Sequence, residues 1–152
     1  MRKDFVASGF LVSNGKVLLV KHKKLGLWLP VGGHIEGNET PEEALKREAM
    51  EEAGLEIEAL SKPAFECSDE NVSMLLMPHH LQMELIKHSK EEAHHHVDFI
   101  FFCRAKQGKE KLNEKEHNEI RWFSAKDLES GEITPNVRAL GKKAIEFAGK
   151  EA

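Results

Sequence analysis

The sequence predicts an α+β sandwich. Three observations predict it: β-rich runs joined by a tight turn near the start, a well-capped helix after residue 40, and strands and helices that follow one another without regular alternation. A doubly wound parallel sheet would need that alternation. At 152 residues the chain fits one domain spanning 1–152, long enough to bury roughly 70% of its unfolded surface.

"FVASGFLV" and "KVLLVKHK" read as strands. Between them lie Ser13, Asn14 and Gly15, and Asn-Gly supplies the positive φ angles of a hairpin turn. "LGLWLPVGGHIEG" is crowded with Gly and Pro and reads as a loop holding one short strand. Thr40, Pro41 and Glu43 then mark a helix start. Thr40 and Glu43 form a capping box, and Pro41 suits the first helical position. Leu45, Ala49 and Ala53 repeat every four residues as the buried stripe of that helix, and Gly54 ends it.

"LEIEALSK" alternates like a half-buried strand. Residues 68 to 93 form an insertion with no settled pattern, in which "HLQMELIKH" has helical character. Its methionines make it a candidate interface or lid, and a homodimer is compatible with it. "HVDFIFFCRA", the most apolar run, reads as a central strand. "EIRWF" follows as another strand and "SAKDL" as a turn. "TPNVRALGKKAIEFAGKEA" reads as a second helix capped by Thr134.

Composition removes several function classes. With 22 Lys and Arg against 26 Asp and Glu, the net charge of -4 offers no global positive field for stable nucleic-acid binding. Cys67 and Cys103 are the only cysteines, too few for a disulfide framework and without zinc-site or redox spacing. No apolar run reaches signal-peptide or membrane-spanning length, so a cytoplasmic location is expected.

"REAMEEAGL" places Glu48, Glu51 and Glu52 on one side of the first helix, with Cβ atoms about 5–6 Å apart. On a solvated face such like-charge pairs cost a few tenths of a kcal/mol; in a partly buried cleft each costs roughly 3 kcal/mol at an effective dielectric near 20. There they would need a cation. Converging carboxylate oxygens without imidazole or thiolate suit a hard ion, Mg²⁺ or Mn²⁺. Taken alone, the three acids fit a wet helix face better than a metal site, because charged helix faces are common.

The wider spacing decides between the two. Gly33, Glu39, Arg47-Glu48, Glu51-Glu52, Gly54 and Leu55 fall on every fixed position of G-x5-E-x7-R-E-U-x-E-E-x-G-U, where U is apolar. That pattern resembles the Nudix box. Its first U is Ala49, smaller than the usual Ile, Leu or Val. "LWLPVGG" before the box and "EIRWF" after it also look like MutT-like Nudix proteins, so the resemblance extends over most of the chain, the insertion excepted.

The resemblance implies an α/β/α sandwich around a mixed sheet. It also implies hydrolysis of a pyrophosphate bond in a nucleoside triphosphate or another nucleoside-diphosphate-linked substrate, with a divalent metal held in the box. By carry-over Glu51 and Glu52 are metal ligands, the Gly32 carbonyl is a backbone ligand, and Glu48 is ligand or base. Arg47 orients the glutamates, Glu39 braces the loop, and Gly33 and Gly54 shape it. An ordinary helix salt bridge from Arg47 to Glu43 or Glu51 is the plainer alternative. Relatives recruit one more acid before the late tryptophan strand. Glu116 is the first choice here, with Glu114 and Glu119 as rivals, and the general base stays open between Glu48 and Glu116.

The substrate side is thinner. Lys21 to Lys24 could meet phosphates, with Lys21 and Lys23 as candidates, or could be a solubilising loop. Asn136 resembles a base-contacting asparagine of MutT-like proteins, although a local capping role is common there. His34 lies inside the box near the expected substrate, and Trp28 reads as core. Among nine histidines, His94, His95 and His96 alternate faces in a strand. They cannot all meet one metal, and they read as partly exposed at a strand's start.

The absence of tyrosine argues against diadenosine polyphosphate hydrolases. "SDEN" stands where ADP-ribose hydrolases of this family carry a proline. A nucleotide-sensing Nudix protein without catalysis is the rival class, but such sensors often lose box glutamates, and this chain keeps them.

Overall fold

Asn14 and Gly15 take φ of 50° and 73°, and the turn they make folds β1 (Lys3–Ser13) back on β2 (Lys16–His22). The computed structural model describes residues 1–88, 90–106, 110–115 and 117–151. The chain continues through β3 (Trp28–Leu29), β4 (Val31–His34), α1 (Pro41–Ala53), β5 (Ile57–Ala59), β6 (His80–His88), β7 (Glu91–Ala105) and β8 (His117–Phe123). A 3₁₀ turn at Asp127–Glu129 leads to α2 (Pro135–Glu151).

All eight strands join one sheet whose main path runs β3-β2-β1-β7-β5; β4 pairs with β1, β6 with β7 and β8 with β2. β1 and β7 are parallel from Lys3↔His95 to Val12↔Arg104, and the other pairings are antiparallel, so the sheet is mixed.

Successive strand residues point to opposite faces, and each helix covers one face. Ala7, Leu11, Phe101 and Cys103 pack with Leu45, Ala49 and Ala53 of α1. Phe10, Val12, Ile100 and Phe102 pack with Val137, Leu140 and Ala144 of α2. Trp28 belongs to this second cluster, its ring 5.0 Å from that of Phe123. The expected core role of Trp28 is what the structure shows. The α+β sandwich expected from the sequence is also the observed architecture.

Every element of the α1 caps is present. Thr40 Oγ1 accepts from the Glu43 N–H at 3.2 Å, Glu43 Oε1 accepts from the Thr40 N–H at 2.9 Å, and Gly54 closes the helix at φ 66°. Thr40→Ala is expected to lower stability by about 1 kcal/mol in a denaturant titration. α2 begins at Pro135, and the Thr134 carbonyl accepts from the Arg138 N–H at 2.9 Å.

Three sequence expectations need correction. "HLQMELIKH" is not helical: it is β6, paired antiparallel with β7. Its alternation was present but inverted, with Leu81, Met83 and Leu85 about half exposed while Gln82 and Glu84 turn inward. The Gly- and Pro-rich segment holds two short strands, β3 and β4, where one was expected. β7 starts five residues before His96, so His94 lies within the sheet and is 2% exposed instead of sitting at a strand's open start.

Candidate active site

The capping box fixes where α1 begins, and that places Glu48 and Glu52, one turn apart, against β4. Two glycines allow the close approach, and at Gly32 the backbone leaves no room for a side chain. A Cβ on Gly33 would lie 2.5 Å from Glu48 Oε1, and one on Gly32 would lie 2.3 Å from the Ala7 carbonyl oxygen. The close approach lets the Gly32 N–H donate to Glu52 Oε1 at 2.7 Å.

Glu52 is 3% exposed, and its other carboxylate oxygen faces Nε2 of His117, itself 2% exposed. The segment before β8 holds this histidine in place by donating to the end of α1: the Lys111 N–H to the Ala53 carbonyl at 2.8 Å and the Asn113 N–H to the Glu52 carbonyl at 3.1 Å. These bonds satisfy carbonyls that a helix C-terminus otherwise leaves unpaired.

Arg47 is the hub of the loop. It donates to both oxygens of Glu39 at 2.8 and 2.9 Å, to Glu48 Oε1 at 2.9 Å, to Glu51 Oε2 at 3.2 Å and to the His34 carbonyl at 3.1 Å. The ordinary i,i+4 salt bridge to Glu51 is thus one part of a larger fork. Glu39 also accepts from the Glu36 N–H at 3.1 Å, which ties the loop to the helix.

The electrostatics follow from these contacts. The Arg47 hydrogen bonds hold the Glu39 carboxyl below its usual range, and those to Glu39 raise the guanidinium further. Burial pushes Glu48 up to about 7 against the pull of Arg47, and the charge of Glu52 adds to the rise. Glu51 remains half exposed, with 55% of its side chain accessible. The convergence read from the helix therefore resolves into two enclosed acids and one at the rim.

The other candidates separate. Lys21 Nζ lies 5.8 Å from the Trp28 ring centroid, and Lys23 Nζ donates to the Glu114 carbonyl. His34 Nε2 is 3.0 Å from Asp4 Oδ2. Asn136 makes a reciprocal amide pair with Gln82, at 2.9 and 3.0 Å, on the exposed side of the α2 start. Glu119 is within 4.0 Å of Arg121 on β8. Glu116 lies outside the described residues.

Sequence reading missed His117, because only carboxylates were weighed in "EKLNEKEHNE". It also missed a polar stretch on the sheet. Asp4, Ser8, His94, His96 and Asp98 share the face on which Phe10, Val12, Ile100 and Phe102 lie under α2. Polarity changes where the helix cover ends. Asp98 is 4% exposed and accepts from the Ser8 hydroxyl at 3.0 Å; burial, with Glu84 beside it, pushes its carboxyl up to about 9. The acid proton gives Asp98 a donor toward Glu84.

A stability prediction follows from that proton. The folded value of about 9 exceeds the ordinary 3.8, so between these two values native Asp98 holds a proton that the unfolded chain has released. Stability falls as pH rises through this window. Asp98→Asn keeps a donor toward Glu84 and an acceptor for Ser8. Measured in EDTA, it is expected to flatten the decline and to exceed the wild-type stability near pH 9 by about 1–2 kcal/mol.

The family comparison agrees with the box geometry. The NUDIX domain model matches residues 3–143. The chain is 32% identical to a NUDIX-family hydrolase from Clostridium perfringens, covering 97% of this chain and 99% of that one with a TM-score of 0.79. It also shares its fold with a MutT NUDIX hydrolase from Burkholderia pseudomallei, at 22% identity, TM-score 0.62 and coverage of 96% and 98%. A MutT protein from Methanosarcina mazei Go1 superposes at 16% identity and TM-score 0.60, with coverage of 99% and 95%. With the glutamate helix, its arginine hub and the glycine strand all in place, the chain belongs to the Nudix family and is a Nudix hydrolase, an enzyme that cleaves pyrophosphate bonds.

Proposed function

We propose that this chain is one catalytic domain that hydrolyses a nucleoside triphosphate, or another nucleoside-diphosphate-linked substrate, with Mg²⁺ or Mn²⁺ held by Glu48, Glu51 and Glu52. The observation that carries this reading is the enclosure of Glu48 and Glu52 against Gly32 and Gly33: burial raises the Glu48 carboxyl to about 7 against the pull of Arg47, and repulsion from Glu52 one turn away adds to the rise. A hard cation relieves that repulsion, and the donor set fits one. Glu48 Oε2 and Glu51 Oε1 carry no hydrogen bond among the described residues, and the Gly32 carbonyl would add a neutral oxygen.

When bound, such an ion neutralises phosphate oxygens and lowers the pKa of a coordinated water. The chain's own groups do the positioning. Arg47 and Glu39 hold the loop so that the carboxylates are placed before substrate arrives. The Gly32 N–H and His117 fix the rotamer of Glu52. Glu48 is partly buried, and its carboxyl, near neutrality, suits it to take the proton from the attacking water, with Glu116 as the rival base.

The substrate's base would lie on the open part of the α2-side face, where the exposed Asn136–Gln82 amide pair offers donors and acceptors for a base edge. Lys21 and Lys23 would serve the phosphates from the β2 end, and His34 the near side of the loop. No described helix is long and apolar enough to cross a membrane, and a cytoplasmic setting, with its nucleotide supply, is part of this reading.

A panel of nucleoside triphosphates, ADP-ribose and nucleoside diphosphate sugars, with Mg²⁺ or Mn²⁺, tests it by chromatography of the nucleotide products, with released phosphate and pyrophosphate scored for the triphosphates. Pyrophosphate and a nucleoside monophosphate from a triphosphate are expected. Turnover of ADP-ribose alone would move the substrate class, and nucleotide binding without turnover would favour the sensor reading.

A further inference from the structure

We infer that Asp4, His34, His94 and His96 form a second metal site, selective for a borderline ion of the Zn²⁺ class and separate from the glutamate cradle. Asp4 comes from β1, His34 from the end of β4, and both His94 and His96 from β7. Two positions apart along β7, the two histidines face the same side of the sheet as Asp4, while His95 faces the other.

The ligand atoms of Asp4, His34 and His96 all lie within 4.8 Å of one another. His34 Nε2 is 3.0 Å from Asp4 Oδ2, His94 Nε2 is 3.3 Å from His96 Nε2, and His94 Nε2 is 3.9 Å from Asp4 Oδ2. For metal–ligand bonds of about 2.0–2.1 Å, a tetrahedron has edges of about 3.3 Å. Three of the separations, 3.0–3.9 Å, lie near that edge, and a shift of the exposed His34 side chain toward His94 would complete the set.

An independent feature is the orientation of His94. It is 2% exposed, and its Nδ1 lies 2.9 Å from the Glu92 carbonyl oxygen. A carbonyl only accepts, so Nδ1 carries the hydrogen and, in the neutral ring, Nε2 presents its lone pair to His96 and Asp4. This is the outer-shell arrangement that orients metal-ligating histidines. A buried ring nitrogen facing a second ring nitrogen and a carboxylate is well served by a cation.

Three imidazoles and one carboxylate select Zn²⁺, Co²⁺ or Ni²⁺ over Mg²⁺ and Ca²⁺, the opposite preference to the all-oxygen glutamate set. Bound metal would join the start of β1, the end of β4 and β7. The His34 carbonyl accepts from Arg47, so the site anchors the strand on which the glutamate loop begins. It shares His34 with the proposed substrate side, but its metal binding is read without any hydrolytic turnover.

The test is titration of the full-length protein with Zn²⁺ and with Co²⁺ in excess Mg²⁺, which fills hard oxygen sites and competes poorly for imidazole. One equivalent of Zn²⁺ by calorimetry is expected, with intense visible Co²⁺ bands of tetrahedral nitrogen ligation and a raised Tm. Asp4→Ala/His34→Ala removes two ligands at the surface. Its circular dichroism should be unchanged and its Zn²⁺ affinity should fall by about 100-fold or more. His96→Ala should act likewise. The inference is overturned if the wild-type protein binds no Zn²⁺ under these conditions, if Co²⁺ gives only weak octahedral bands, or if the double variant binds as tightly as wild type.

Discussion

Glu52→Gln is expected to lower kcat with Mg²⁺ by about 10²–10³-fold while leaving the fold intact. The substitution removes one negative charge and keeps the shape. The glutamine carbonyl oxygen can still accept from the Gly32 N–H, and its amide can donate to His117 Nε2, so the two buried partners of Glu52 stay satisfied. Stability should therefore change by less than about 1 kcal/mol. Glu52→Ala is the contrasting variant: it strands a buried amide and a buried imidazole and should cost about 2–4 kcal/mol. If Glu52→Gln turns over like wild type, the residue is a structural brace for β4 and His117 and has no part in the reaction.

Arg47 variants should fail differently, through both stability and rate. Five hydrogen bonds join its guanidinium to Glu39, Glu48, Glu51 and the His34 carbonyl. Arg47→Ala leaves Glu39 and Glu48, whose side chains are 18% and 14% exposed, without their cation. A loss of about 2–4 kcal/mol is expected, because removing one partner of an enclosed pair leaves the other uncompensated. Arg47→Lys keeps the charge but not the two-pronged fit to Glu39, and about half the loss should remain. With the loop no longer pinned, kcat should fall by about 10–100-fold in the lysine variant. Thermal unfolding and steady-state kinetics on the same preparations separate the two effects. Wild-type stability and rate in Arg47→Lys would reduce Arg47 to a surface charge.

Much of this was legible from residue order because local chemistry dictated it. The Asn14-Gly15 turn, the Thr40–Glu43 capping box and the Gly54 terminus each rest on contacts within a few residues, so the sequence alone places them. The box glutamates were readable for the same reason, since helix periodicity puts Glu48 and Glu52 on one side.

What was not legible depends on pairing between distant segments. β6 carries its apolar residues outward, so a pattern that normally marks a buried face pointed the wrong way. His117 meets Glu52 only because the segment before β8 docks on the end of α1. The Asp98–Glu84 pair arises from the β6–β7 register and the Asp4–His34–His94–His96 group from the β1–β7 and β1–β4 registers, and no spacing along the chain encodes those. The differing environments of the three glutamates were hidden too: periodicity puts them together, whereas the approach of β4 decides that Glu48 and Glu52 are enclosed and Glu51 is not.

The most direct measurement is a Mn²⁺ titration of the protein followed by electron paramagnetic resonance, with and without a nonhydrolysable nucleotide. Loss of free-ion signal is expected in the wild-type protein, with tighter uptake when nucleotide is present. Both, measured as uptake beyond that of nucleotide alone, should disappear in folded Glu48→Gln/Glu52→Gln. No uptake by the wild-type protein beyond that of nucleotide alone, or uptake that persists unchanged in the double variant, would contradict a cation cradle built from these acids.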